Sequence, residues 1–188
     1  MRSLPTLTVA LALALTATAA VGTTVTTAAA HDNPTAHVEQ HLSGQARATL
    51  AKLRTKLRPL IAPEAAVAAG YLPSDDCVSG PHGGMGYHYV NLDILFSDPF
   101  DPMNPPMLVY VPTEVGGRTL GAAEWVSIDA DQDLATDDDR PSILGVGFDG
   151  PMLGHEPDQP IHYDLHAWLF ETNPEGVMSP WNSRVSCP

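Results

Sequence analysis

Histidines and carboxylates carry the chemistry this chain can offer, and several of them interrupt apolar segments. His88 lies in Tyr87-His88-Tyr89-Val90, Glu124 in Ala122-Ala123-Glu124-Trp125-Val126, and His162, Asp164 and His166 in Ile161-His162-Tyr163-Asp164-Leu165-His166-Ala167-Trp168. Two histidines and one carboxylate form the ligand set of mononuclear zinc and non-haem iron sites. A carboxylate in an apolar stripe is costly unless it is paired, protonated or bound to a cation. The candidate ligands of a divalent ion (zinc, iron, copper or manganese) are therefore His88, Glu124 and either His162 or His166. His155 stands just before the third segment and could replace one of them; His82 sits in a loop that could bring it near. Asp164 could orient a liganding histidine from behind. The rival reading needs no metal. There the histidines are internal hydrogen-bonding residues of a non-catalytic extracellular binding or structural domain, and Tyr87, Tyr89, Trp125 and Trp168 form its contact surface.

The conformation of residues 161–170 decides between ligand sets. Apolar or aromatic residues fill every odd position, and His162, Asp164, His166, Trp168 and Phe170 fill the even ones. Strict alternation signals a strand. Ile161, Leu165, Trp168 and Leu169 also suit a helix. On a helix His162 and His166 lie one turn apart and could share an ion. On a strand they are about 13 Å apart, at roughly 3.3 Å per residue, so only one of them can be a ligand. The strand is the expectation, bounded by Pro160 and by the turn residues Asn173-Pro174-Glu175-Gly176.

Further metal sites suggest themselves. His37 and His41 are four apart on an expected helix, with no third ligand in view. His31, as a mature N-terminus, could chelate copper through its amine and imidazole. Residues 129–139 carry Asp at 129, 131, 133, 137, 138 and 139. The opening Asp-x-Asp-x-Asp suits calcium, but Leu134 replaces the sharp-turn glycine and Arg140 the bidentate glutamate. A solvated acidic turn is the other reading.

The elements around these residues follow from the pattern. Residues 4–21 are apolar and small, and Ala28-Ala29-Ala30 resembles a cleavage site, so residues 1–30 read as a secretory signal peptide. Residues 31–188 then form one globular domain, with 31–36 disordered and no stable membrane anchor. Two cysteines, Cys77 and Cys187, are expected to pair in an oxidising compartment. The formal net charge is −13. That excludes nucleic acid as the natural partner, since phosphates need a basic surface, and favours a cation or a basic partner. The partner, small molecule or extracellular protein, is not specified.

Val38, Leu42, Ala46, Leu50, Leu53 and Leu57 recur at helical spacing, predicting an amphipathic helix over 35–57 that Pro59 ends. Residues 63–70 predict a short helix from Pro63 to the glycine at 70. Gly80-Pro81-His82-Gly83-Gly84-Met85-Gly86 lacks a Lys-Ser/Thr ending, so it is a tight reversal rather than a phosphate loop. Alternation predicts strands over 87–96, 107–111, 119–128 and 142–148, with Gly116-Gly117 as a hairpin turn. In these strands His88 shares a face with Val90, Leu92, Ile94 and Phe96. Glu124 shares one with Leu120, Ala122, Val126 and Ile128. A turn-rich loop over 150–157 feeds the histidine segment. The fold class is α+β: a long and a short helix packed on an antiparallel sheet or small open barrel of five or six strands.

Gly84-Met85-Gly86-Tyr87-His88-Tyr89-Val90-Asn91, Gly150-Pro151-Met152-Leu153-Gly154-His155-Glu156-Pro157 and His162-Tyr163-Asp164-Leu165-His166-Ala167-Trp168-Leu169 resemble motifs in a group of secreted bacterial proteins of unknown function. The similarity runs from about Glu64 to Cys187. It implies secretion, one domain and one disulfide, and carries no catalytic assignment. His88, Glu124 and the Gly-Pro-x-x-Gly-His loop also resemble cupins more loosely. The cupin His-x-His pair is absent, because Val90 stands in its second place.

Overall fold

The computed structural model describes residues 42–97, 100–155 and 159–188. The expected signal peptide, residues 31–36, and His31, His37 and His41 lie outside them. The first helix, α1, spans Gly44–Leu57. It starts later than the periodicity predicts, because Ser43 caps it: the Ala46 N–H donates to the serine hydroxyl at 3.0 Å. Ala46, Leu50, Leu53 and Leu57 form its buried stripe, and Arg54 and Lys56 sit in the last turn. A 3₁₀ turn, Arg58–Leu60, leads to the short α2, Pro63–Ala68.

Among the described residues eight strands follow: β1 Leu72–Gly80, β2 Gly83–Val90, β3 Met107–Pro112, β4 Arg118–Ile128, β5 Ser142–Ile143, β6 Val146–Gly147, β7 Asp149–Met152 and β8 His162–Trp168. Six of them make one curled, open antiparallel sheet in the order β1-β2-β3-β4-β8-β7. The expected α+β architecture is therefore present, and residues 162–168 are strand, not helix. β5 and β6 form a separate small hairpin where one strand over 142–148 is expected. Leu144 and Gly145 both take positive φ, 58° and 77°, and reverse the chain there.

Two strand predictions need correction. The run 87–96 stops at Val90, because Asn91 caps a one-turn helix, α3, Leu92–Leu95. Its side chain accepts from the Ile94 N–H at 3.2 Å. Leu92, Ile94 and Phe96 thus leave the face that carries His88. In β4 a bulge intervenes: Val109 pairs with Ala122 but Tyr110 pairs with Leu120, leaving Gly121 extra. Leu120 therefore turns to the opposite face from Glu124. Only glycine fits at the bulge, since a Cβ there would lie 2.8 Å from Val111 Cγ1.

The sheet has a covered face and a cavity face. Leu50, Leu53 and Leu57 of α1 join Leu108, Tyr110, Trp125, Tyr163 and Leu165 in one core under the helix. The opposite face holds Val109, Ala122 and Trp168 at one end, sealed by Val185 of the C-terminal tail. The other end is a cavity. Cys77 of β1 is joined to Cys187 by a disulfide, 110 residues apart in sequence, which ties the tail to the sheet edge. The aromatic contact surface of the rival reading does not form, because Trp125, Tyr89 and Trp168 are buried. No helix among the described residues is long and apolar enough to cross a membrane.

Candidate metal centre

Pleat alternation and register assemble the site. Glu124 of β4 stands opposite His166 of β8, so both side chains leave the same face of the sheet. Met107 of β3 stands opposite Glu124, and Val109, two residues on, opposite His88 of β2. His88 and Glu124 are thus on strands roughly 10 Å apart, at about 4.8 Å per step, and on a shared face. Their side chains reach across β3 towards each other, helped by the curl of the sheet.

The donor atoms converge. His88 Nε2 lies 3.3 Å and His166 Nε2 3.6 Å from Glu124 Oε2. One donor atom from each of the three residues lies within 4.8 Å of the others. A tetrahedral ion with bonds near 2.1 Å holds its ligand atoms about 3.4 Å apart. The two distances to the glutamate match that edge length. His166 is fully buried, Glu124 nearly so, and the His88 side chain is 13% exposed, leaving one side of the cluster open. Among the described residues no other trio of His, Cys, Asp or Glu donors closes this tightly.

The remaining candidates surround the trio. Asp164 Oδ1 lies 3.8 Å from His166 Nδ1, on the ring's other nitrogen from Glu124, where a carboxylate would orient the imidazole. The His155 ring stacks on His88 with centroids 5.8 Å apart. The strand geometry places His162 two pleats from His166, outside the trio. Its Nδ1 faces the Pro160 carbonyl at 3.0 Å. A carbonyl only accepts, so Nδ1 holds the proton and Nε2 keeps the lone pair. His82 lies apart, lining a surface cavity with Trp181 and Glu175.

Burial dominates the electrostatics. It pushes the Glu124 carboxyl well above the usual carboxylate range, and the charge of Asp164 adds to the shift. Asp164 is raised well above its ordinary value by burial and then by Asp149. Asp149 is pushed up to about 6 by burial, with Arg140 opposing. His155 is lowered by burial and then by His162, and His162 is lowered by burial despite its carbonyl contact. Buried Glu124 and Asp164 and half-buried Asp149 thus resist carrying charge, which a divalent ion beside Glu124 would reverse.

A cavity of about 420 Å³ opens onto His88 and Glu124. His155, His162, Gln159 and Asp164 line one side, and Leu72, Val78, Val90 and Met107 the other. Sequence reasoning missed Met107, Gln159 and Asp149. Met107 carries no chemical signal, and register alone places it opposite Glu124. Asp149 was legible as an acid flanked by phenylalanine and glycine.

The acidic loop uses several of its carboxylates internally. Asp129 accepts from the Asp133 N–H at 3.1 Å, and Asp139 from the Ala130 N–H at 2.9 Å and the Tyr163 hydroxyl at 2.7 Å. Compared with protein-family models, with curated proteins and with solved structures, the chain matches none.

Proposed function

We propose that this chain is a secreted protein that holds one divalent transition-metal ion through His88, Glu124 and His166 and uses it as a small metalloenzyme. The observation that carries the reading is the convergence of three donors from three strands, at separations close to those of a tetrahedral site. Two histidines and one carboxylate leave open positions on the ion, as catalytic zinc and non-haem iron sites do. The cavity beside His88 gives those positions access to a small molecule. Such an ion supplies Lewis acidity or an activated water. The protein's part is to hold the ligands, to orient His166 through Asp164, and to keep the site largely dry. The disulfide supports an oxidising, extracellular location.

The test is metal content by mass spectrometry on protein purified from culture medium without chelator or tag. About one equivalent of zinc, iron, copper or manganese is expected. His88→Ala and Glu124→Ala should each lose it while keeping the circular dichroism of the parent. One observation favours a second reading, the internal network of polar contacts: His88 Nε2 and Glu124 Oε2 meet at 3.3 Å, close enough for a direct ion pair. Protein that contains no metal and takes up none removes the metalloenzyme reading and leaves that network as the account of the trio.

A further inference from the structure

The cavity has two unlike halves. Over β1 to β3 its wall is mainly apolar, with Leu72, Val78, Val90 and Met107 beside Ser74, Asp76 and His88; over β4, β8 and the loop before β8 it is Glu124, Asp164, His162, His155 and Gln159. Register puts the boundary beside the metal donors, because Met107 stands opposite Glu124 and Val90 opposite Met107. A molecule bound to the ion therefore passes from polar to apolar wall within its own length.

The charges are as one-sided. Three carboxyl groups face the cavity, those of Asp76, Glu124 and Asp164, and no lysine or arginine does among the described residues. A divalent ion at the trio would already face these acids, so no surplus positive charge remains to attract an anion. The ion itself repels a cation from the donor end. His162 Nε2 offers a lone pair to a ligand N–H or O–H.

Resting on the metal reading above, we propose that the site takes a neutral small molecule. Its donor group bears its own N–H or O–H and binds the ion, and a short hydrocarbon arm lies on Val78, Val90 and Met107. Carboxylates and phosphates are excluded. Azoles, amides and alcohols with such an arm have the matching chemistry.

The experiment uses the full mature protein reloaded with cobalt(II), whose visible spectrum reports ligands entering the ion's open positions. The probes are imidazole, 4-butylimidazole, hexanoate and azide. Butylimidazole is expected to bind at least about tenfold more tightly than imidazole, which burial of about two of its four arm carbons supplies. Hexanoate and azide should leave the spectrum unchanged at concentrations where butylimidazole saturates it. Val78→Thr combined with Val90→Thr keeps the side-chain shape. It should cut the butyl advantage to about threefold or less, with imidazole affinity and cobalt content unchanged. Binding of either anion as tight as that of butylimidazole, or no butyl advantage in the parent, overturns the inference while leaving the metal centre standing. Failure to take up cobalt overturns the metal reading and this inference with it.

Discussion

Neighbouring residues of β4 and β8 build two environments of equal burial and opposite chemistry. Trp125 and Leu165 point to the helix-covered face, and Glu124, Asp164 and His166 to the cavity face; each is at most 3% exposed. On the covered face burial is favourable, at roughly 25 cal/mol per Å² of apolar surface removed from water. On the cavity face burial is a penalty, visible in Glu124 and Asp164 being pushed well above the carboxylate range. The difference teaches how one sheet serves both ends. Period-2 alternation sets a residue that stabilises the strand beside one that strains it, so the covered face supports what the cavity face costs.

The comparison can be broken first at the sheet edge. β1 supplies the cavity's apolar wall, and the disulfide from Cys77 to Cys187 anchors it. Replacing both cysteines by serine should cost roughly 4–5 kcal/mol in urea unfolding, from loop entropy over more than a hundred residues. An unchanged midpoint would mean that packing alone holds β1. A contrast between the faces is the second test. Leu53→Ala, under the helix, should cost about 3 kcal/mol by transfer and cavity terms. In metal-free protein Glu124→Leu should be neutral or stabilising by about 1 kcal/mol, because it removes a buried carboxyl. A large loss for Glu124→Leu would show that the carboxyl's contacts hold the fold.

The third prediction is a pH dependence. Asp149 has a folded pKa of about 6, above its ordinary value of 3.8. For a raised carboxyl the stabilising contribution is present below the unfolded value and is lost as pH rises through the folded one. Asp149→Asn should therefore gain on the parent between pH 4 and pH 6, by ~2–3 kcal/mol, and hold that gain above. Denaturation midpoints of the two proteins across that range check it, and a constant gap would rule it out.

Much of this is legible in the sequence. The alternation over 161–170 identified a strand and put His162, Asp164 and His166 on one face. The isolated Glu124 in an apolar stripe and His88 at the end of another pointed to the right strands. The helix start was misplaced because hydrophobic period ignores capping, and Ser43 decided it. Leu120 was misassigned because a bulge at Gly121 shifts the pleat by one residue, and no local signal separates a bulge glycine from any other.

The sequence by itself determined part of the local grammar of this protein: that residues 162–168 are a strand with alternating faces, and that Glu124 and the histidines interrupt apolar stripes. Those depend on periods of two and 3.6 residues and on side-chain chemistry, which neighbours alone express. Only the tertiary structure decided that His166 rather than His162 meets Glu124 and that Met107 borders the site. It also decided that Trp125 and Trp168 are core rather than contact surface. Strand order and register are long-range properties, and a shift of one residue in pairing would have carried every candidate ligand to the opposite face.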